Sequence, residues 1–495
     1  MIAAQVVVTQ FAVNSMKCSH GATWWLVAFI SVTLASAASA QLTLTILHSF
    51  TAGNDGEQPK ASLVQGTDGA LYGTTFMGGT NRAGTVFKVQ PDGSGNTPLY
   101  QFPRNAENPF GLANPSGLIQ AMDGGLYGTD SSGGRAGNGS VFRLNPDGTD
   151  FTILHDFDHT GGRGYSPSAA VVQGTNGFLY GTTEAGGTFG GGTVFEVGTN
   201  GVGFLERYSF GAPFDAQGPK APLIQGVDGV LYGTTVAGGA SAIGGASGYG
   251  TIFKINPDGT GEAVLHSFLP TDGDGQRPYG ALVQGSDGTL YGVTSEGGST
   301  AHGGSSGGGT IFKINPDGSG YSILHSFDPA LPEGKYPWPG LVIGNDGALY
   351  GTAQYGGTNN VGVLFRFDPD GSGYTVLYTF GSSPTDGRYP ISPLVRAKDG
   401  GLFGTAPFGG DMNYGIIFRL APAPAVITSI RSTSTKLIKL SLTSAPSFNY
   451  RIEVSPDQQN WTALTNVYNA SGVMEVTDPN APMSSHGFYR AAWVP

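Results

Sequence analysis

Short runs in which apolar and small or polar residues alternate recur along most of the chain, and glycine-rich turns separate them. The clearest run is a tetrapeptide of the Leu-Tyr-Gly-Thr type, whose alternation is typical of a β-strand. Seven copies lie 52 to 59 residues apart and begin at Leu71, Leu126, Leu179, Leu231, Leu290, Leu349 and Leu402. This period is close to that of kelch-type propeller repeats and longer than that of leucine-rich or ankyrin repeats.

Each copy contains four strand signals, which we name strands a to d. In the fifth copy, Ala281 to Phe327, they are Leu-Val-Gln, Leu-Tyr-Gly-Val, Thr-Ile-Phe-Lys and Leu-His-Ser-Phe. An Asx-Gly pair separates strand a from strand b in every copy, and Pro-Asp-Gly follows strand c in five copies. Both sequences favour tight turns. Four antiparallel strands per copy predict one propeller blade.

The two ends of the repeat region complement each other. The seventh copy has no strand d before the Ala/Pro linker at 421–425, whereas a run of the strand d type, Leu44 to Phe50, precedes the first strand a. We therefore predict an all-β fold with a seven-bladed β-propeller over residues 41–420. Its ring would be closed by the N-terminal strand, which removes an exposed sheet edge.

The pattern changes after the linker to about seventy residues with short alternating runs. Strands are predicted over Leu437–Leu442, Tyr450–Val454, Met474–Val476 and Phe488–Ala491. Residues 426–495 are thus predicted to form a small β-sandwich-like domain. Trp461 is expected to anchor its core rather than to present a ligand platform.

The first forty residues have the layout of a secretory signal peptide. They contain no acidic residue, an apolar run from Trp24 to Leu34, and Ala-Ser-Ala before Gln41. Translation could start at Met1 or at Met16, and a start at Met16 would put Lys17 where a signal peptide carries its positive charge. The only cysteine, Cys18, lies in this segment. The mature chain is therefore expected to lack disulfides and thiolate metal sites.

Charge narrows the classes of partner. The chain has 24 Lys and Arg against 35 Asp and Glu, a net charge of −11, and no basic stripe. This balance argues against a nucleic-acid partner. The apolar run at the N-terminus is too short to span a bilayer comfortably, so we expect no transmembrane segment in the mature chain. We expect a monomer without a cofactor.

The repeated Leu-Tyr-Gly-Thr, Gly-Thr-Val-Phe-Lys and Pro-Asp-Gly-Ser-Gly sequences resemble the GloVer tandem-repeat family of secreted bacterial proteins, over about Gln41 to Pro422. The resemblance implies secretion and an extracellular or cell-surface location. It implies no known activity, catalytic residue or ligand. Many such proteins carry a C-terminal apolar helix with a basic tail, and this sequence lacks that pattern. Residues 450–461 resemble a small C-terminal β module that is common behind secreted bacterial repeat domains.

A propeller would place the two kinds of connection on opposite rims. The a–b and c–d turns are nearly uniform Asp-Gly, whereas the b–c and d–a connections vary. The glycine of strand b and the glycine before strand c are 11 residues apart in five copies and 17 apart in the fourth and fifth. Variable loops on a constant scaffold usually carry binding specificity. The Gly/Ser-rich insertions are equally compatible with slack loops.

Aromatic and cationic residues gather in the variable connections of the fifth to seventh copies. Aromatic faces beside polar and cationic groups can stack on a sugar ring, although such residues can also simply cover the joint between two blades. The candidate ligand-binding residues are Arg277, Lys335, Tyr336, Trp338, Tyr355, Arg388 and Tyr389.

Three functions stay open, because propellers host all of them. The first is a non-catalytic module that binds polysaccharide or cell-envelope glycan. The second is a polysaccharide hydrolase or lyase that uses acids near the channel mouth; the candidates are Asp55, Asp274, Glu333 and Asp386. The third is a structural cell-surface protein that binds other proteins.

No metal or cofactor site is predicted. Histidines recur at one position of strand d where other copies have tyrosine, which indicates a structural role; they are His48, His155, His266 and His325. The pair Asp272 and Asp274 lacks the further carboxylates of a good calcium site. The Gly-x-Gly strings precede no helix, so they are not phosphate loops.

Overall fold

The computed structural model describes residues 42–103, 114–212, 215–240, 248–269, 273–299, 307–422, 426–432, 437–444, 448–455, 460–469, 473–478 and 488–494. The predicted signal peptide, most of the two Gly/Ser-rich insertions, Asp272 and part of the predicted linker lie outside these residues.

Nearly all secondary structure in the described residues is β-strand. One 3-10 helix, Thr160–Gly162, is the only helix there. No helix among these residues has the length and apolar character needed to cross a bilayer. The prediction of an all-β fold built from four-stranded antiparallel sheets is confirmed.

Six four-stranded sheets follow one another along the chain, and all their strand pairings are antiparallel. Sheet 1 contains Val64–Gln65, Leu71–Thr75, Thr85–Val89 and Thr97–Gln101. Sheet 2 contains Pro115–Gln120, Leu126–Asp130, Ser140–Leu144 and Thr152–Asp156. Sheet 3 contains Val172–Gln173, Leu179–Thr183, Thr193–Val197 and Leu205–Ser209. Sheet 4 contains Ile224–Gln225, Leu231–Thr235, Thr251–Ile255 and Ala263–Ser267. Sheet 5 contains Val283–Gln284, Leu290–Thr294, Thr310–Ile314 and Ser322–Ser326. Sheet 6 contains Leu341–Ile343, Leu349–Ala353, Val363–Phe367 and Thr375–Thr379.

Sheet 7 combines strands from the two ends of the repeat region. Its order is Val395–Arg396, Leu402–Ala406, Ile416–Pro422 and Leu42–Ser49. Two pairs of very short strands lie beside sheets 4 and 5: Ala216–Gln217 with Ala237–Gly238, and Gly275–Gln276 with Glu296–Gly297.

The glycine of strand b lets the phenylalanine of strand c pack against the sheet. A Cβ atom on Gly233 would lie 2.6 Å from Phe253 Cζ and 2.8 Å from Leu223 Cδ2, which is closer than real Cβ contacts allow. Strand Leu231–Thr235 is buried along its whole length. The same Gly–Phe contact recurs in every sheet, so the Leu-Tyr-Gly-Thr pattern reflects packing and not a turn.

Hydrophobic clusters join neighbouring sheets. Tyr72 of sheet 1 shares a cluster with Phe142 of sheet 2. Phe87 of sheet 1 shares another with Phe403 of sheet 7. Since each cluster mixes residues from two sheets, no sheet has a complete core of its own.

A glutamine at the end of strand a links one sheet to the next. Gln120 Oε1 accepts a hydrogen bond from the Thr67 amide at 2.7 Å, and Gln65 Oε1 accepts one from the Lys398 amide at 2.7 Å. The equivalent residues Gln173, Gln225 and Gln284 make the same contact. The bond between Gln65 and Lys398 joins sheet 1 to the segment just after strand a of sheet 7.

The first strands of neighbouring sheets contact each other, whereas the fourth strands are half-exposed. Ala281 and Gly340, at the starts of two first strands, form a parallel bridge. The strand Val64–Gln65 likewise contacts Pro115–Gln120. The residues that lead into strand a therefore converge from sheet to sheet.

A second compact unit contains the described residues from Leu420 onward, together with residues 42–44 and 399–401. Its first sheet has Ile438–Thr443 between Val426–Ser432 and Val473–Asp478. Its second sheet has Phe448–Ser455 between Thr462–Asn469 and Phe488–Val494. The strands Val426–Ser432 and Thr462–Asn469 were not predicted.

Both sheets of this unit contribute to one hydrophobic cluster, which includes Leu440 and Tyr450. Tyr450 is fully buried. The expectation that Trp461 anchors this core is wrong, because Trp461 precedes the strand Thr462–Asn469 and is only partly buried. The guanidinium carbon of Arg490 lies 4.2 Å from the Trp461 ring centroid.

Candidate functional site

Each d–a connection contains a residue that directly precedes a proline, and this residue has a positive φ at every joint between sheets. The φ values lie between 45° and 66°. The seven residues, which we call the joint residues, are Gln58, Asn114, Ser166, Gly218, Arg277, Tyr336 and Tyr389. Six of them are not glycine, although an L side chain in the left-handed region costs roughly 1–2 kcal/mol.

Hydrogen bonds to two neighbouring sheets hold the joint residues in place. The Tyr336 amide donates to the Gly308 carbonyl at 2.7 Å, and the Tyr336 carbonyl accepts from the Gln354 amide at 3.1 Å. The Tyr389 amide donates to the Val361 carbonyl at 2.6 Å. The pair of bonds seen at Tyr336 recurs at Gln58, Ser166, Gly218 and Arg277. These bonds fix the direction in which each joint side chain projects.

Aromatic side chains from the connections of sheets 6 and 7 form a continuous row. The ring centroids of Tyr336 and Tyr355 are 5.8 Å apart, those of Tyr355 and Tyr389 are 5.3 Å apart, and those of Tyr389 and Phe408 are 6.0 Å apart. We call these four residues the aromatic rim. All four are partly buried. Three of them were predicted, and Phe408 was missed although it occupies the same repeat position as Tyr355.

Two predicted cations flank the aromatic rim. Lys335 forms an antiparallel bridge with Tyr355, and Arg388 forms one with Phe408. The Arg388 amide donates to the Phe408 carbonyl at 2.9 Å. Because directly opposed residues of an antiparallel pair project to the same face, each cation lies beside an aromatic residue of the rim.

The other two predicted residues, Trp338 and Arg277, make side-chain contacts with residues outside the aromatic rim. Trp338 stacks on Tyr279, with ring centroids 4.2 Å apart, and Lys220 Nζ is 5.7 Å from the Tyr279 centroid. Arg277 Nε lies 3.4 Å from Glu296 Oε2. Tyr279 and Lys220 were missed, although both directly follow the joint proline, as Trp338 does.

The four acids considered for catalysis bind their own loops. Asp386 is 1% exposed and accepts hydrogen bonds from the Ser382 amide at 3.0 Å and the Tyr378 hydroxyl at 2.9 Å. The other three acids are held in the same way: a backbone amide four or five residues earlier in the chain donates a hydrogen bond to the carboxylate. These acids are Asp55, Asp274 and Glu333. Each carboxylate therefore closes its own connection.

The lowered pKa values of two of these acids, Asp274 and Glu333, also favour a structural role. Burial disfavours ionisation of Asp274, but His266, whose Nε2 lies 3.5 Å from Asp274 Oδ2, and a hydrogen bond from the Tyr321 hydroxyl outweigh burial and lower the pKa of Asp274. Burial is likewise outweighed at Glu333, where His325 Nε2, 3.6 Å from Glu333 Oε1, and a hydrogen bond from the Asp328 amide lower the pKa. A carboxyl group with a lowered pKa is a poor general acid at neutral pH.

Three of the four histidines of strand d, His155, His266 and His325, stack on an aromatic residue of the next sheet. His266 stacks on Tyr321 with centroids 3.6 Å apart, and His325 stacks on Tyr374 at 4.1 Å. Among the residues that the structure describes, no group of three or more His, Cys, Asp or Glu side chains is placed to hold a metal ion.

Several solved structures have a similar fold at low sequence identity. The extracellular domain of a putative hybrid two-component system from B. thetaiotaomicron is 12% identical, over 92% of this chain and 60% of that chain, with a TM-score of 0.49. An oligogalacturonate lyase in complex with manganese is 12% identical, over 78% of this chain and 94% of that chain, with a TM-score of 0.48. A nidogen/laminin complex is 14% identical, over 59% of this chain and 88% of that chain, with a TM-score of 0.36. These similarities give no information about the activity of this chain.

The sequence comparisons agree with the resemblance seen in the repeats. No curated protein matches the chain significantly. The model of the Gloeobacter/Verrucomicrobia repeat matches residues 28–241, 104–303 and 239–445. These overlapping matches span most of the 495 residues. The chain therefore belongs to the Gloeobacter/Verrucomicrobia repeat family, as the repeated sequences predicted.

Proposed function

We propose that the protein is a secreted, non-catalytic module that binds polysaccharide or cell-envelope glycan through the aromatic rim. In this proposal the seven sheets are the blades of a propeller, and Leu42–Ser49 closes its ring. Residues 426–495 follow it as a β-sandwich-like domain. Secretion is supported by the signal-peptide pattern of residues 1–40.

The aromatic rings that two strained joints hold in one row are the observation that carries the proposal. Gly218 occupies this position without a side chain, so the joint itself needs nothing but glycine. Tyr336 and Tyr389 instead hold large side chains at a cost of roughly 1–2 kcal/mol each. Other non-glycine joints carry the same strain, but only Tyr336 and Tyr389 place aromatic rings there, and strain at such positions can serve a binding site.

The composition of the site suits a ligand made of linked sugar rings. Neighbouring centroids in the aromatic rim are 5.3 to 6.0 Å apart, so the row extends across several connections. Apolar faces of sugar rings can pack on aromatic side chains, while Lys335 and Arg388 can donate to hydroxyl or acidic groups. Partly buried rings lose little freedom when a ligand binds.

The hydrogen bonds that hold the loop acids in place favour a binding function over a catalytic one. Asp55, Asp274, Glu333 and Asp386 accept hydrogen bonds within their own connections. A hydrolase needs a pair of carboxyl groups about 5 to 10 Å apart that face one bond of the substrate. Acids that close separate loops do not favour such a pair.

A glycan-array screen with two glycine variants tests the proposal. Tyr389→Gly removes one ring of the aromatic rim, and Ser166→Gly is the matched control at a joint outside it. Glycine relieves the left-handed strain in both, so Ser166→Gly is expected to leave the melting temperature unchanged or to raise it. We expect at least about tenfold weaker glycan binding for Tyr389→Gly and unchanged binding for Ser166→Gly.

The other outcomes separate the alternative functions. A wild-type protein that binds no glycan on the array would overturn the proposal and favour the structural role. Release of shortened or unsaturated products from a bound glycan would favour the hydrolase or lyase. If Tyr389→Gly and Ser166→Gly weaken glycan binding equally, the aromatic rim is not the binding site.

A further inference from the structure

The cations on the variable connections differ in whether a carboxylate lies beside them. Lys220 Nζ lies 2.7 Å from Glu184 Oε1, and Arg277 Nε lies 3.4 Å from Glu296 Oε2. These two cations belong to the connections of sheets 3 to 5, and internal acids balance their charge.

The connections that lead into sheets 6, 7 and 1 carry cations of a different kind. Lys335, Arg388 and Lys60 form no ion pair with any residue that the structure describes. The reason lies in the repeat. The positions of Glu184 and Glu296, directly after strand b, hold uncharged residues in these three sheets: Gln354, Tyr355, Pro407, Phe408, Phe76 and Met77.

Lys60 is the most constrained of the three cations. Its Nζ atom lies 3.4 Å from the Phe76 ring centroid, and burial lowers the pKa of Lys60. A partly buried ammonium without a carboxylate partner has lost hydration that only the aromatic face replaces. An anionic group placed beside it would therefore gain a strong, charge-assisted hydrogen bond.

The joint between sheets 7 and 1 links the segment of Lys60 to the segment of Phe408 in the aromatic rim. The Pro59 carbonyl accepts a hydrogen bond from Thr405 Oγ1 at 3.1 Å, and Thr405 is three residues from Phe408. Two acids also lie in these connections, the partly buried Glu57 and the exposed Asp411.

We infer that the aromatic rim, together with Lys60, Lys335 and Arg388, binds a polysaccharide that carries carboxylate or sulfate groups. The inference rests on the proposed function and adds the charge of the ligand. Sugar rings would pack on the rim while their acidic groups meet the unpaired cations. The net charge of −11 opposes unspecific adhesion to polyanions, so recognition depends on these three side chains.

The test compares charged polymers with their neutral counterparts. Binding of the full mature chain is measured to polygalacturonate and its methyl ester, and to dextran sulfate and dextran. We expect at least about tenfold tighter binding to one charged polymer than to its neutral counterpart. Polygalacturonate identifies a carboxylate ligand, and dextran sulfate a sulfated one. Lys60→Met and Arg388→Met should each weaken this binding about fivefold or more.

Lys313→Met is the matched control. Lys313 lies near the end of strand Thr310–Ile314 that leads into the c–d turn, away from the b–c and d–a connections. Hydrogen bonds from Ser372 lower the pKa of Asp370, and the charge of Lys313 contributes to the same shift. Its removal should leave binding unchanged, and melting temperatures confirm that each variant is folded.

The results distinguish the inference from the proposed function. Equal binding to charged and neutral polymers would overturn the inference and leave the proposed function standing. An equal loss in Lys313→Met would mean unspecific attraction and would also overturn it. Absence of binding to all four polymers and to every arrayed glycan would overturn both.

Discussion

At the scale of single residues, Asp130 differs from its counterparts in the other sheets. Strand b ends in threonine in sheets 1, 3, 4 and 5, where it pairs with a second threonine, as in the 2.9 Å contact between Thr75 Oγ1 and Thr85 Oγ1. Asp130 is 2% exposed and accepts from Ser140 Oγ at 2.5 Å. Burial raises the pKa of Asp130 to about 7, opposed by its hydrogen bonds and reinforced by the nearby charge of Asp156.

The raised pKa of Asp130 predicts that the folded protein loses stability as the pH rises. The folded pKa lies above the unfolded value of 3.8, so folding favours the protonated form. Stability contributed by Asp130 is present below pH 4 and is lost as the pH rises to about 7. Asp130→Thr with Ser140→Thr should create the threonine pair found in sheets 1, 3, 4 and 5 and remove this loss. The double variant should therefore gain free energy of unfolding over wild type as the pH rises from 4 to 7. At about 1.4 kcal/mol per pKa unit, this gain amounts to a few kcal/mol at most.

Denaturant unfolding from pH 4 to 8 measures that difference. Ser140→Thr alone is the control, because it leaves the carboxyl group in place. A difference between the double variant and wild type that does not change with pH would contradict the assignment to Asp130.

At the scale of the element, the glycine of strand b is a packing position. Gly233→Ala would press a methyl group on Phe253 and Leu223, and we expect a loss of about 1–3 kcal/mol in unfolding free energy. Phe253→Leu removes the Cζ atom that the methyl group would meet. The double variant should therefore lose less than the sum of the two single losses. Strictly additive losses in denaturant unfolding would argue against this contact.

At the scale of the whole molecule, the proposed closure makes the N-terminal strand part of sheet 7. A chain that begins at Thr51 would leave Ile416–Pro422 as an open edge, which is prone to association, and would lack the fully buried Phe50. Loss of such a phenylalanine alone costs about 3–5 kcal/mol. We expect a lower melting temperature or self-association, measured by calorimetry and size-exclusion chromatography against a chain that begins at Gln41. A monomer with unchanged melting temperature would show that the strand is dispensable.

The sequence alone determined the repeat, the all-β class and the family. Asx-Gly turns, Pro-Asp-Gly turns and the period-two strands are local signals, and seven copies reinforce one another. It also located most of the candidate site, since Lys335, Tyr336, Tyr355, Arg388 and Tyr389 do come together. The repeat position shared with Tyr355 could have identified Phe408 as well.

Only the tertiary structure decided how these residues are held. A residue before proline is expected to be extended, yet Tyr336 and Tyr389 have left-handed φ because their backbone groups bond to neighbouring sheets. The pairing of Trp338 with Tyr279, and the turning of Asp386 into its own loop, also depend on contacts that chain order does not encode. Local pattern fixes each strand and turn, whereas the direction of a side chain at a joint is set by two sheets at once.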